Sequence, residues 1–495
     1  MKFYWRIVKI VLVSGILAGP GGIHQARGQE AGGAAASGNE AQRIAVLEEK
    51  LRAMEQRLQY LESKLNGGSA IRAAAAESPL PIAQPPQSRS AGAAAIPTPA
   101  PAPQPPAAVA TVSADPQGFA IQSPERDFLL RIRYQMHLDG RFAVNRNERA
   151  EPNTFYLRRT QPILTGTLYR RFSFQVLTEF AQGRVRVNDA YVDTTIASGL
   201  VVRGGKFKGP VGLERLRSGM ALPLHERALP TRLVPNRDLG VQLFGNLAQA
   251  KISYAVGVFN GLPDGASGDG ENDDLSEFNG RLMFQPFAGP SPRALAGLSF
   301  GIGGSYGHAQ GNAESSNLPV YESTGGFDFF QYHEAVFADG VHYRLAPQGY
   351  WYAGPFGLMA EYTQSVQEVR RGSSQATMNH RAWQWMGSYV LTGDPGSFEG
   401  VAPERPFDPS NGGWGAFEFV ARIARLQIDR EAFPFYADPA ESAREATAWA
   451  VGLNWYLNRN VKLVLGYEQT AFESAAPGVR LDTEKLFQQR FQLRF

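Results

Sequence analysis

Residues 485–495 read KLFQQRFQLRF, with apolar side chains at the alternating positions Phe487, Phe491, Leu493 and Phe495. A period of two places these side chains on one face of a β-strand and the polar side chains on the other. A last strand that alternates in this way and ends in Phe is typical of outer-membrane β-barrels, where it carries the assembly signal. We expect it to pair with the first strand, because lipid tolerates no free sheet edge.

The same alternation runs through the chain from about residue 116. The clearest strand covers 128–139 and has the apolar face Phe128, Leu130, Ile132, Tyr134, Met136 and Leu138. Arg131 and Arg133 lie on the opposite face, as a water-filled lumen permits. A soluble periplasmic sandwich of two sheets could show the same alternation, so it is the final strand that favours a transmembrane barrel.

Short turns on one side and longer loops on the other predict an all-β fold, a 16-stranded antiparallel transmembrane β-barrel that leaves an aqueous channel. Eighteen strands are the alternative. The long loops are expected at about 139–153, 181–184, 209–238, 261–276, 307–337, 371–381, 427–446 and 471–484. Residues 393–413 would be an unusually long connection on the short-turn, periplasmic side.

Three segments are expected before the barrel at 116–495. Residues 1–28 have the pattern of a signal peptide, and their apolar run is too short for the alternative, a membrane anchor. Residues 41–66 predict a coiled-coil helix in the periplasm. Their apolar residues are spaced alternately three and four positions apart, as in a heptad repeat, and cations and carboxylates flank this apolar seam. These apolar residues are Ile44, Leu47, Leu51, Met54, Leu58, Leu61 and Leu65. Residues 67–115 are rich in Pro and Ala, which predicts a disordered linker.

Composition excludes several classes of protein. The 495 residues contain no Cys, so disulfides, cysteine zinc sites and cysteine nucleophiles are excluded. The net charge of +3 is too close to balance to indicate nucleic acid as a partner. The sequence contains no nucleophile elbow, phosphate-cradling glycine loop or metal-spaced histidines. We therefore expect no enzyme activity, no cofactor and no metal.

Two further groups of polar residues are worth testing. A Gly-rich loop could hold Ca²⁺, although an acidic loop in solvent is the preferred interpretation. Its acidic residues are Asp264, Asp269, Glu271, Asp273 and Asp274. Glu418 and Arg422 fall on one strand face and are expected to pair in the lumen wall.

Several segments resemble the phosphate-selective porin family. They are 205–210 (GKFKGP) with Gly212-Leu213-Glu214, Glu226-Arg227, 389–394 (YVLTGD), 412–418 (GGWGAFE) with Arg422, and 452–457 (GLNWYL). The resemblance covers about 125–495. It implies a sixteen-stranded trimeric outer-membrane barrel whose pore is narrowed by an infolded third loop and by basic residues. The family's phosphate selectivity rests on arginines and lysine clusters, and only five Lys follow residue 115 here, so phosphate and anions in general both stay open.

Loop 209–238 is the third long loop, it contains four prolines, and it is net basic. We expect it to fold inward and to line the pore together with basic residues of nearby strands. The candidate pore-lining, anion-binding residues are Arg131, Arg133, Lys206, Lys208, Arg215, Arg217, Arg227, Arg232 and Arg237. The alternatives are that these arginines bind lipopolysaccharide phosphates outside or pair with local carboxylates.

The expected function is an outer-membrane porin for passive diffusion of small solutes, with a preference for anions and with phosphate as a candidate. The alternative is a structural tether that joins the outer membrane to peptidoglycan through the coiled coil. The expected partners are outer-membrane lipid and lipopolysaccharide, small anionic solutes, two further copies in a homotrimer, and peptidoglycan at the coil.

Overall fold

The computed structural model describes residues 109–144, 153–270, 275–289 and 294–495. The expected signal peptide and coiled coil, and the expected linker up to residue 108, lie outside these residues. Within the described ranges, no helix has the length and apolar character needed to cross a membrane.

The described residues form a closed antiparallel barrel of sixteen strands, as the sequence predicts. A hairpin of β1 (Thr111–Asp115) and β2 (Gly118–Gln122) precedes it and pairs with its first strand. The barrel strands are β3 (Phe128–Ala143), β4 (Thr154–Leu168), β5 (Phe172–Glu179), β6 (Arg186–Ala197), β7 (Leu200–Lys208), β8 (Arg237–Leu247), β9 (Ile252–Phe259), β10 (Glu277–Phe284), β11 (Leu298–Gln310), β14 (Val336–Ala353), β15 (Phe356–Arg371), β16 (Ser374–Val390), β17 (Ala416–Gln427), β18 (Ala443–Tyr456), β19 (Val461–Ser474) and β20 (Glu484–Arg494). Two short strands, β12 (Tyr321–Glu322) and β13 (Asp328–Phe330), pair with each other between β11 and β14.

Alternation decides which face of each strand turns outward. On β3, Leu130 and Ile132 are 37% and 43% exposed on the outer face, whereas His137 and Asp139 are buried inside. On β20, Phe487 and Phe491 are exposed outward in the same way. The apolar residues thus form the outer surface and the polar residues face the lumen, which is the arrangement of a barrel in lipid.

The last strand closes the barrel against the first. β20 pairs with the upper part of β3, from Leu486 opposite Ala143 to Arg494 opposite Gln135. The backbone of Phe495 then exchanges two hydrogen bonds with Tyr134, at 2.8 and 3.0 Å. Where β20 stops, β2 continues along the lower part of β3. The hairpin therefore covers the edge of β3 that the shorter last strand leaves open.

Two expected boundaries differ from the structure. The prediction of a loop at 371–381 is wrong, because β15 and β16 form one long hairpin with only residues 372–373 between them. The outer face of this hairpin is polar at Thr377 and Arg381, so the apolar alternation ends before the strands do. In addition, β1 begins at Thr111, inside the segment expected to be linker. The long connection expected on the short-turn side is present at 391–415.

The buried apolar core lies inside the barrel against β14–β18. It is built by the third loop (209–236), the fifth loop (311–335) and the seventh loop (428–442), which fold onto the inner wall. The third loop contributes Leu213, Leu224, Ala228, Leu229 and Leu233 to this core. One half of the lumen is therefore filled, and the free space lies along the other half of the wall.

Candidate functional site

A cavity of about 1510 Å³ runs along the unfilled half of the barrel. Its lining includes Asp115 and Phe495 at the short-turn end, and Asp269 and Gly326 on the long loops at the opposite end. Strands β3–β8 form one side and the third loop forms the other. We call this space the passage, because its lining reaches both ends of the barrel.

The passage is strongly cationic. Among the described residues that line it, fourteen are Lys or Arg and six are Asp or Glu, which leaves a formal excess of eight positive charges. The cations are Arg133, Arg141, Arg158, Arg159, Arg186, Arg203, Lys206, Lys208, Arg215, Arg227, Arg232, Arg237, Arg459 and Arg494. The acids are Asp115, Glu179, Asp189, Glu226, Asp269 and Glu322. This concentration of charge contrasts with the near-neutral chain as a whole.

The third loop presents two different faces. Its buried leucines pack on the filled half of the lumen, while Arg215, Arg227 and Arg232 line the passage. A short helix, α1 (Leu213–Leu216), begins where the carboxylate of Glu361 on β15 accepts the N–H groups of Leu213 (2.7 Å) and Glu214 (3.3 Å). Gln384 on β16 donates to both Glu361 (2.6 Å) and Glu214 (3.0 Å). The loop is therefore held from the wall opposite the passage.

Four more wall side chains donate to backbone carbonyls of the third loop. The pairs are Lys462 Nζ and Leu222 (2.8 Å), Gln492 Nε2 and Met220 (2.9 Å), Asn454 Nδ2 and Pro223 (3.0 Å), and Arg422 Nη1 and Glu226 (2.8 Å). These donors come from β17–β20. Because they satisfy buried carbonyl groups that water would otherwise bind, they make the infolded position stable.

Lys208, Arg215 and Arg227 form a cluster without a negative partner. Lys208 donates to the carbonyls of Arg215 (2.7 Å) and Arg217 (3.3 Å), and Arg227 donates to the carbonyl of Glu214 (2.9 Å). Arg215 donates to the carbonyl of Thr231. In the described part of the chain, none of the three has a carboxylate within 4.0 Å. We call these residues the unpaired cluster.

The pKa values of the unpaired cluster reflect the lack of a nearby carboxylate. Burial lowers the pKa of Arg227 to about 10, with Glu214 and Glu226 opposing the shift. Burial also lowers the pKa of Arg215, and its neighbours Arg227, Arg232 and Arg237 lower it further. An anion beside these groups would offset both their burial and their mutual repulsion.

Five other cations of the passage are neutralised locally. Four of them make ion pairs: Arg158 with Glu226 (2.5 Å), Arg203 with Asp193 (2.7 Å), Arg232 with Glu322 (2.9 Å) and Arg237 with Asp189 (2.7 Å). Lys206 contacts the carboxylate of Asp269. Burial alone would raise the pKa of Glu226, but Arg158 and its neighbours outweigh burial and hold this pKa below its usual range.

Seven of the nine candidate residues line the passage. They are Arg133, Lys206, Lys208, Arg215, Arg227, Arg232 and Arg237. Arg131 lies outside the lining, because its guanidinium binds Asp115 of the hairpin at 2.8 Å. Arg217 also lies outside it, with its guanidinium 4.8 Å from the ring centre of Phe398 in the 391–415 connection. The third loop thus turns Arg217 toward the filled half of the lumen.

Seven further cations of the lining were not among the candidates. Arg158 and Arg159 are the most instructive, since neighbouring residues of a regular strand face opposite sides. A bulge in β4 places Arg159 opposite His137 and Leu157 opposite Leu138, so Arg158 has no opposite residue on β3. Both arginines line the passage as a result. Strict alternation along the strand would place only one of the two arginines in the lumen. Both can be assigned to the lumen only when the position of the bulge is known.

The remaining polar groups differ from expectation. Glu418 does not pair with Arg422: it accepts from Asn454 (3.0 Å) and Tyr456 (2.8 Å), while Arg422 binds Glu468 (3.2 Å). Four residues along a strand separate two side chains by about 13 Å, too far for contact.

The Gly-rich loop with acidic residues also differs from the expectation of a loop in solvent. Asp264 is buried against Arg344 at 2.6 Å, whereas Glu271, Asp273 and Asp274 lie outside the described residues. Among the residues that can be described, no group of side chains is suited to hold a metal ion.

Comparison with known proteins agrees with this geometry. The family model described as phosphate-selective porin O and P matches residues 130–495. Porin O of Pseudomonas aeruginosa is 23% identical over 394 residues, which cover 71% of this chain and 84% of that protein. The outer membrane channel DcaP of Acinetobacter baumannii has a similar fold, with a TM-score of 0.50 and 11% identity over 74% of this chain and 97% of that chain. OprB of Pseudomonas putida has a TM-score of 0.45 and 11% identity, with 75% and 95% of the two chains covered. Since the family match spans most of the chain, the protein belongs to the phosphate-selective porin O and P family and is an outer-membrane channel, not an enzyme.

Proposed function

We propose that this porin passes small anions by diffusion and discriminates against cations. The observation that carries the proposal is the unpaired cluster of Lys208, Arg215 and Arg227 within a passage whose lining has eight excess positive charges. Fixed cations at a narrow point lower the barrier for anions and raise it for cations. They act strongly there because the effective dielectric constant is lower than in bulk water.

Phosphate is the substrate that we propose to test first. Twelve of the fourteen cations are Arg, whose planar fork of donors binds the oxygens of phosphate or carboxylate in pairs. Only Lys206 and Lys208 supply ammonium groups to the lining. Arginine-based recognition favours oxyanions over chloride, because a chloride ion offers no pair of oxygens.

Planar-bilayer recordings test both parts of the proposal. In a potassium chloride gradient, the reversal potential should have the sign of an anion-selective channel. Added phosphate should reduce the chloride current, because a more tightly held anion stays longer in the passage. A reversal potential of cation-selective sign would contradict the anion preference, and a chloride current unaffected by phosphate would contradict oxyanion recognition.

We further propose that the channel is a homotrimer joined through the wall of β5–β10. Strands β5, β9 and β10 have eight residues each, whereas β14, β15 and β16 have 18, 16 and 17. A strand needs about 9–11 residues to cross the hydrocarbon layer. The wall of β5–β10 contains these short strands and is therefore suited to contact with another copy of the barrel.

The absence of Cys makes this second proposal directly testable. Val192 and Val241 are exposed on the outer face of β6 and β8 within this wall, and Ile423 is exposed on the outer face of β17, outside it. Val192→Cys combined with Val241→Cys should give crosslinked trimers with a short bis-maleimide in native membranes. Ile423→Cys is the control and should not crosslink; equal crosslinking from both positions would contradict the assigned interface.

A further inference from the structure

The fourth loop (260–276) is anchored up to Gly268 on the end of the third loop and on the first residue of β8. The N–H of Gly265 donates to the carbonyl of Val234 (2.9 Å), and the N–H of Gly268 donates to the carbonyl of Arg237 (3.0 Å). Asp264, at the start of this segment, is buried against Arg344. The base of the fourth loop is therefore fixed at the side of the passage.

Asp269 follows directly after the last of these anchors. Its carboxylate contacts Nζ of Lys206, and both residues line the passage. The Asp269 side chain is 78% exposed, whereas that of Lys206 is only 9% exposed. Gly268 and Gly270 flank it, and a residue between two glycines has an unusually mobile backbone. One exposed carboxylate thus contacts a nearly buried cation of the passage lining.

The ion pair between Arg203 and Asp193 is built differently. Arg203 binds Asp193 through two hydrogen bonds of 2.7 Å, and both residues lie on adjacent strands of the wall. Such a pair is rigid, so its arginine is not free to bind a permeating anion. Among the described residues, Asp269 has a single cationic partner. It sits on a loop, so an incoming anion can replace it at small cost.

We propose that Asp269 is a specificity-determining residue that competes with the permeating anion for Lys206. In the empty channel the Asp269 carboxylate binds the Lys206 ammonium group, and an arriving anion displaces this carboxylate. Tethering gives the carboxylate a high effective concentration at Lys206, so a solute with a low charge displaces it less readily than one with several charges. Asp269 thereby weakens anion binding at this position and favours release. The inference rests on the anion conduction proposed above.

A double-mutant cycle with inorganic phosphate as the probe tests this role. The readout is the phosphate concentration that half-saturates single-channel conductance. Asp269→Asn should lower this concentration about two- to five-fold, the factor expected when an ion pair with an exposed carboxylate is released. Lys206→Gln should raise it, and adding Asp269→Asn in that background should change nothing further. Asp269→Glu should behave like the native channel.

Glu399→Gln is the matched control, because it removes one exposed carboxylate outside the passage lining. Equal effects of Asp269→Asn and Glu399→Gln would overturn the proposal, since a change of net charge would then suffice. An Asp269→Asn effect that persists in the Lys206→Gln background would also overturn it. Failure of anion conduction itself is distinguishable, because the native channel would then show no anion-selective reversal potential.

Discussion

Replacing Arg215 and Arg227 together by Gln removes two cations of the unpaired cluster. Gln keeps hydrogen-bond donors for the loop carbonyls of Thr231 and Glu214 that the two arginines now bind. The change therefore removes charge while limiting the disturbance of the infolded loop. The formal excess in the passage falls from eight to six.

The expected magnitude follows from Coulomb's law. Two unit charges about 8 Å apart interact by about 1 kcal/mol at an effective dielectric constant of about 40, between that of a protein surface and that of water. Two arginines thus favour an anion in the passage by about 2 kcal/mol, or about 30-fold in its rate of passing these residues. Salt reduces the effect, since the screening length is about 10 Å at 0.1 M.

Reversal potentials in a salt gradient measure this change. The double variant should shift toward cation selectivity, with a larger shift at 0.01 M than at 1 M salt. Arg217→Gln is the control: it removes one cation from the same loop, but Arg217 faces Phe398 outside the passage. A double variant with the native reversal potential, or an Arg217→Gln shift just as large, would refute the assignment of the unpaired cluster to the conduction path.

Three further changes test the fold that holds the site. Deleting Phe495 should reduce the amount of heat-modifiable barrel in the outer membrane without affecting export, because its backbone pair with Tyr134 is lost; unchanged assembly would contradict the role of the terminal strand. Glu361→Ala should loosen the third loop, because two buried N–H groups lose their acceptor at a cost of about 1–3 kcal/mol each; limited proteolysis within 209–236 should become faster than in Glu361→Gln. Gly118→Ala should detach the N-terminal hairpin, since Gly118 has φ +111° and a Cβ there would lie 2.2 Å from the carbonyl oxygen of Ile132; unchanged protease resistance at 109–127 would contradict this.

Much of the barrel was predictable because strand facing is a local property. In a strand, each residue's face follows from that of its neighbour, so the apolar positions of 128–139 and 485–495 are sufficient to identify the lipid face. Local alternation fails where the outer face is polar, as at Thr377 and Arg381, and the expected loop at 371–381 is wrong for that reason. It also fails at the bulge that leaves Arg158 without a partner on β3.

The sequence by itself therefore determined the strand pattern, the closing strand and the basic character of the third loop, and it favoured sixteen barrel strands over eighteen. Only the tertiary structure decided which cations face the passage and which of them are neutralised. Arg158 meets Glu226 across 68 residues of sequence, and Lys206 meets Asp269 across 63. Arg217 is turned away by Phe398, from a connection far along the chain. Charge balance in a lumen depends on which loops fold inward and how deeply, and such long-range contacts leave no periodic signal in the sequence.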